Sequence, residues 1–380
     1  MKQRLILTIV LINLFCGSAS AQLLGGGVGA DSISTALVPA FGYSSNEGFV
    51  GGAIFNRYNY KGGIAPFKNY LKSSAIVSTK GFVEAEMKYE QNRSFNRDIR
   101  TSVEGYFYRY TTDLFFGVGN NTTFSESQWN NNYYFFRSIS FGAQYKLRKP
   151  LFRDRHSQFD LQGGLSTQYY IPYERQQQSS FFQLSPNGQE GGWINNLNAG
   201  FVWENRDSEF DPTKGNRAEL EVRFAPNLIS KYAFTTVRLE LRQYFQLFNW
   251  ITFANKLEAR HAAGDTPFWE LSTLGDAYTL RGYPLNRFKG NSSIAYTLEL
   301  RTWLFEFPEL YNLKFGGQLF TDTGRVFTTP DDVKDLFRGY KQTIGFGGAM
   351  SIFTPDFILR GDVGFSEDVT RIYVGVGYLF

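Results

Sequence analysis

The last ten residues, Arg371-Ile372-Tyr373-Val374-Gly375-Val376-Gly377-Tyr378-Leu379-Phe380, decide how the chain is read. Ile372, Val374, Val376, Tyr378 and Phe380 are large and apolar. Arg371, Tyr373, Gly375, Gly377 and Leu379 are polar, small or mixed. In a strand, alternate residues face opposite sides, so this is a two-faced strand. Ser293 to Phe305 repeats the pattern, with Ile294, Tyr296, Leu298, Leu300 and Leu304 opposing Thr297, Glu299 and Arg301. Val237, Leu239, Leu241 and Phe245 likewise oppose Arg238, Glu240 and Arg242, and Phe315 and Leu319 oppose Lys314, Gln318 and Asp322. Asn255 is an exception, falling on the apolar side of its strand.

A soluble antiparallel sheet also alternates. Here the polar face carries full charges, and the pattern runs the whole length. An apolar outside and a polar inside predict a transmembrane barrel, which must close because lipid cannot satisfy an open edge. Sixteen candidate strands run from 37–44 to 370–380. The fold class predicted is all-β, a sixteen-stranded antiparallel transmembrane β-barrel. Connection lengths agree with that count. The long links, 111–132, 173–193, 264–291 and 324–339, follow strands five, seven, eleven and thirteen, all odd, and the links after even strands are short, down to Pro355-Asp356. Long loops on one side and short turns on the other place both termini at the periplasmic end.

Composition fits this. The chain has 380 residues, 18% aromatic and 19% charged, with 38 Phe, 23 Tyr, 38 Gly and one Cys. Its mean hydropathy is negative. So many aromatics exclude a disordered chain, and one cysteine excludes a disulfide scaffold. A formal net charge of +4 gives no footprint for nucleic acid. Lys2 and Arg4, the apolar run Leu5 to Phe15 and Ala19-Ser20-Ala21 form a signal peptide, residues 1–21, cleaved after Ala21. Cys16 follows Phe15 rather than a small residue, which argues against a lipid anchor. Residues 22–36 form a short Gly-rich periplasmic segment, and 37–380 the barrel.

Within this frame, specific words appear. Leu280-Arg281-Gly282-Tyr283 lies in the longest loop, Tyr296-Thr297-Leu298-Glu299-Leu300-Arg301 on the next strand, Phe320-Thr321-Asp322-Thr323-Gly324 at the end of the one after, and Tyr378-Leu379-Phe380 closes the chain. With Asp113 to Asn120, and Asn205-Arg206-Asp207 followed by Pro212 and Gly215, the ordered set resembles the bacterial surface antigen barrel of the BamA/TamA outer-membrane assembly superfamily. The resemblance implies that the Arg281-Gly282-Tyr283 tip folds into the lumen and that Arg281 meets Glu299 and Asp322. Parity independently places both carboxylates on the lumen face. An Arg fork suits carboxylates in a dehydrated site, and Gly282 permits the tight backbone. The resemblance also implies a bacterial outer-membrane location among lipids, protein partners in a complex, a role in protein insertion or translocation, and a weak seam between the first and last strands. Gly375 and Gly377 fit a weak last strand, and a crosslink near Gly42 and Val376 is expected to lock the seam. Tyr378 and Phe380 resemble the terminal signal that assembly machinery reads, and would fix the last strand's register. No periplasmic POTRA domain and no N-terminal lipase is expected.

Other chemistry is sparse. His156 and His261 have no Ser or Cys at motif spacing, and no Gly-x-Ser-x-Gly occurs. There is no Cys/His cluster for a metal. Asp331, Asp332 and Asp335 read as a solvated cluster, and Gly27-x-Gly29 is too short a match for nucleotide binding. No enzyme activity and no cofactor are expected. A membrane platform for a lipoprotein or hydrolase, and a passive pore, stay open as alternatives. The aromatic runs Tyr133-Tyr134-Phe135-Phe136 and Phe181-Phe182 read as lipid-interface girdles.

Overall fold

A computed structural model describes residues 33–44, 48–64, 66–173, 178–310, 313–328, 333–351 and 358–380. The signal peptide, most of the predicted N-terminal segment and the turn at Pro355-Asp356 lie outside them. The strands are β1 (Ile33–Ser44), β2 (Gly48–Asn59), β3 (Asn69–Ser78), β4 (Val83–Gln91), β5 (Arg100–Leu114), β6 (Phe135–Arg153), β7 (Gln158–Tyr173), β8 (Gly192–Glu204), β9 (Gly215–Ala225), β10 (Phe234–Leu247), β11 (Ile251–Gly264), β12 (Ser272–Leu274), β13 (Phe288–Gly290), β14 (Ser292–Phe307), β15 (Leu313–Phe327), β16 (Lys341–Ser351), β17 (Ile358–Phe365) and β18 (Thr370–Val376). β1 starts at Ile33, ahead of the expected 37.

Each strand pairs antiparallel with the next in one sheet of sixteen, and β12–β13 forms a separate hairpin in the β11–β14 connection. Among the described residues β1 is paired only to β2 and β18 only to β17. No helix among them is long and apolar enough to cross a membrane, which leaves crossing by strands untouched.

The two faces differ as period two requires. On one, Leu239, Leu241, Phe245, Leu319, Ile372 and Val374 are exposed. On the other, Glu240, Lys256, Glu258, Glu299, Arg301 and Asp322 are buried. That inverts the usual soluble arrangement, in which buried charges are rare and contiguous apolar surface is small. The buried charges are paired. Arg242 Nε donates to Glu240 at 2.6 Å, Arg260 Nε to Glu258 at 2.5 Å, and Arg217 bridges Glu219 at 2.8 Å and Glu240 at 3.1 Å. Asn255, on the apolar face, donates Nδ2 to the Gln243 carbonyl of β10 at 3.3 Å, so its amide is not left bare.

The charged face is concave, because segments far apart in the sheet meet over it. At the end with short turns, residues 205–214 between β8 and β9 reach inward. Asp207 closes that segment by accepting from the amides of Thr213 and Lys214, at 2.9 and 3.1 Å. Glu209 then pairs with Arg100 of β5 at 3.0 Å, Phe210 meets Tyr58 of β2 edge-on at 5.8 Å, and Asp211 accepts from Trp303 Nε1 of β14 at 2.9 Å. Burial raises the Glu209 carboxyl, and the Arg100 guanidinium more than reverses this, holding it below the usual range.

At the other end, the aromatic runs correct the girdle expectation. Phe115, Phe136, Tyr170, Phe181 and Phe268 form one buried cluster; Leu114, Phe116, Tyr134 and Phe135 form a second. Phe136 stacks on Phe181 at 4.3 Å. Most rings of both runs turn inward, because the long connections fold over the opening and need an apolar underside of their own.

Candidate functional site

The site is built around the connection 265–291. Asp276 Oδ1 accepts from the amides of Tyr278 and Thr279, both at 2.7 Å, which turns the chain back on itself. Leu274, Leu280, Tyr283 and Phe288 pack with Ala295 of β14 and Val326 of β15. This apolar foot seats the loop and aims its tip at the inner wall.

At the tip, Arg281 is fully buried. Nε and Nη2 take the two oxygens of Asp322 at 2.9 and 2.8 Å, and the backbone amide adds a third bond to Asp322 at 3.0 Å. Nη1 donates to Glu299 at 2.5 Å and lies 3.6 Å from Asp362 of β17. The guanidinium also covers the Phe320 ring. Burying such a charge is tolerable only with its donors filled, and the fork fills them.

Gly282 has φ +109°, a conformation that favours glycine. An added Cβ there would lie 2.8 Å from the Phe365 carbonyl carbon, and one on Gly364 would lie 2.7 Å from both the Arg281 carbonyl carbon and the Gly282 nitrogen. The tip thus rests directly on β17 backbone. The Gly282 amide donates to Tyr373 Oη of β18 at 2.9 Å, and Ser366 Oγ donates to the Gly282 carbonyl at 3.1 Å. Tyr283 is buried with its ring against Phe288 at 5.1 Å.

The clamp continues downward. The second oxygen of Glu299 accepts from Arg301 at 2.7–2.8 Å, and both Arg301 terminal nitrogens reach the Phe380 carbonyl oxygen at 3.2 Å. Here the strand pattern needs correcting. Tyr378 and Phe380 do not continue on the outer face. β18 ends at Val376, Gly377 takes φ +88°, and the chain turns inward. Arg301 stacks over the Tyr378 ring at 4.2 Å, and Phe380 and Leu379 pack with Tyr244 and Ala254. These residues touch β10, β11 and β14, so they hold the end of the chain to the inner wall rather than setting a register against β1. Lys256 joins the two systems: its Nζ donates to the Tyr278 carbonyl at 2.7 Å and lies 5.6 Å from the Phe380 ring. Gly375 sits in regular pairing opposite Arg360; only Gly377 needs its glycine.

The sequence reading singled out Arg281, Gly282, Tyr283, Glu299 and Asp322, and the structure brings all five together. It did not single out Phe320, Arg301, Asp362, Gly364 or Tyr373 as parts of the site. The available signals were the charged parity of Arg301 with Glu299 and the glycines at 345, 347, 361 and 364, which thin the wall where the tip lands. His156 is exposed in a turn, and His261 Nδ1 meets Ser292 Oγ at 2.7 Å. Asp331 and Asp332 lie outside the described residues, while Asp335 pairs with Arg338 at 2.8 Å. Among the described residues no three His, Cys, Asp or Glu are grouped to hold a metal.

Among solved structures, the chain is similar to BamA from Haemophilus ducreyi lacking POTRA domains 1–3 (TM-score 0.55, 15% identity, 91% of this chain and 70% of that one). It is also similar to CdiB from Escherichia coli (TM-score 0.59, 13% identity, 91% and 62%) and CdiB from Acinetobacter baumannii (TM-score 0.53, 12% identity, 91% and 60%). The chain thus spans less than two thirds of either CdiB. No curated protein matches it in sequence. No POTRA-like region is present among the described residues. The Omp85 superfamily domain matches residues 76–380, and with the clamp and the sheet in place this chain belongs to the Omp85 superfamily.

Proposed function

We propose that the sheet closes into a sixteen-stranded barrel in the bacterial outer membrane, after export by a leader removed behind Ala21, and that the barrel acts in inserting or translocating other proteins with protein partners. The observation that carries this reading is the state of the two edge strands. Among the described residues no ladder joins β1 to β18, and the chain leaves the sheet at Gly377 instead of extending the last edge. An unpaired strand edge is a template for another strand. The clamp supports the reading by fixing the neighbouring wall, β14 to β18, while leaving that edge free.

The test is a set of cysteine pairs scanned between residues 35–37 of β1 and 374–376 of β18, because antiparallel strands bring the start of β1 beside the end of β18 and carry Gly42 to the far end. Oxidation to a disulfide across the two strands is expected to abolish activity, and reduction to restore it. Depleting the protein is expected to lower the levels of other outer-membrane proteins. A fully active crosslinked barrel overturns the seam.

A second reading, a membrane platform docking a periplasmic or surface partner, is favoured by one observation. Residues 205–214 cross one opening and the aromatic clusters cover the other, so the interior is occupied at both ends. The same observation speaks against a passive pore. A platform predicts a stable co-purifying protein, little conductance and no effect of the crosslink.

A further inference from the structure

Two neighbouring turns carry chemistry that neither the clamp nor the inner ion pairs use. The β4–β5 connection, 92–99, and the β6–β7 connection, 154–157, are tied by Arg153 to Asp98 at 2.9 Å. Around them Arg93, Arg97, Lys149, Arg153 and Arg155 are all exposed, against the carboxylates Asp98 and Asp154. Asp154 is committed to its own turn, accepting from the amides of His156 and Ser157, both at 2.7 Å. Arg93, Arg97, Lys149 and Arg155 have no acidic partner among the described residues.

Apolar side chains stand among these cations. Phe95, Leu151 and Phe152 are 69%, 55% and 58% exposed. Phe95 is presented by a costly backbone: Arg93, Phe95 and Asn96 all take φ near +55°, where residues other than glycine are strained. Lys149 lies on the apolar face of β6, in step with Tyr145 and Leu147, and Leu151 follows it. A single cation at the end of an apolar stripe is the pattern of a side chain leaving hydrocarbon for a charged boundary.

We propose that these two turns form a binding surface for the headgroups of anionic phospholipids in the leaflet at the short-turn end. Guanidinium forks match phosphate oxygens, and Phe95, Leu151 and Phe152 fill the acyl boundary beneath. The surface rests on the reading of the chain as a bilayer-spanning barrel. It adds a lipid class and a place. It also biases how the barrel stands in the membrane, since the cations lie beside β4 to β7 and away from the β1 and β18 edges.

The test uses the full chain reconstituted in bilayers of equimolar phosphatidylglycerol and phosphatidylethanolamine. Native mass spectrometry of the extracted protein counts the retained lipids. Wild type is expected to retain phosphatidylglycerol preferentially, with a preference that falls as salt rises. The variant carrying Arg93→Gln, Arg97→Gln, Lys149→Gln and Arg155→Gln is expected to lose that preference by about fivefold or more. Should it fold poorly, Lys149→Gln with Arg155→Gln alone still lowers the preference. Changing Lys231, Lys334 and Arg338 to Gln, at the opposite end, is expected to leave it intact. Equal retention by wild type and the turn variants overturns the proposal. So does unchanged lipid retention accompanied by loss of an acidic co-purifying protein. Failure of the wild-type chain to enter bilayers at all would be seen as carbonate extraction with neither lipid retained, and would overturn the barrel reading itself.

Discussion

The guanidinium carbon of Arg281 lies 3.4 Å from the centroid of the Phe320 ring, so one side chain of β15 forms the floor for a loop residue whose rim is Asp322 of the same strand. This makes two contributions to the clamp separable. Arg281→Ala leaves Asp322 buried without its cation and Glu299 held by Arg301 alone, and is expected to cost about 3–5 kcal/mol. Phe320→Leu keeps the ion pairs and loses the stack, at about 2 kcal/mol. Arg281→Lys, which loses fork and stack but keeps charge, falls between. The midpoint of the heat-modifiable mobility shift ranks them. Unchanged heat-modifiability and activity in Arg281→Ala would sink the clamp.

Because Glu299 offers one oxygen to Arg281 and the other to Arg301, the loop and the last residues share a carboxylate. Arg301→Gln frees the Phe380 carbonyl and also weakens the orientation of Glu299 toward Arg281. A double-mutant cycle between Arg281→Ala and Arg301→Gln is expected to give a coupling of about 0.5–3 kcal/mol. Additive effects would show that the two anchors are independent.

The 205–214 segment predicts low conductance in planar bilayers and a gain on loosening it. Glu209→Ala with Phe210→Ala removes its bonds to β5 and β2 and is expected to raise single-channel conductance several-fold. Acid should act in the same direction. The Glu209 carboxyl sits below its ordinary value, so its stabilising contribution is present above about pH 4.5 and is lost as pH falls through the lower folded value. Conductance that stays flat from pH 7 to 3 argues against the segment as a plug.

Lys289 in the long loop is buried, its Nζ 5.8 Å from the Phe268 ring centroid. Burial lowers its ammonium to about 8, against the pull of Asp113 and Glu270. The folded chain therefore releases this proton before the unfolded one does. Stability is expected to rise with pH between about 8 and 10.5 and to lose that slope in Lys289→Met. Melting in detergent across that range, compared between the two proteins, checks the sign.

Period two made the faces legible, because a strand's geometry forces alternation on its sequence. The long-link parity rests on strand order, since a strand missed or added would invert it. What stayed hidden were departures from regular pairing. Tyr378 and Phe380 keep the alternation in letters, but Gly377 with positive φ takes them out of the strand, and no count of letters reveals a dihedral angle. Tyr134, Phe135, Phe136 and Phe181 look like lipid-facing aromatics, because sequence records size and polarity and not which loop folds over them. Within the clamp, Arg281, Glu299 and Asp322 could be named from words and parity. Phe320 and Gly364 could not, being chosen for shape at a contact only the folded chain creates.

The aromatic cover over the long-loop end has a consequence in time. Its rings come from positions as far apart as Phe115 and Phe268, and closing so long a stretch costs entropy before any contact returns it. The rings meet only after β5 to β11 have paired and carried them to one rim. The cover is therefore expected to form after that pairing and not before it. While it is absent, water reaches the inner face freely, and Arg238, Glu240 and Glu258 find their partners in a solvent that forgives a wrong pairing.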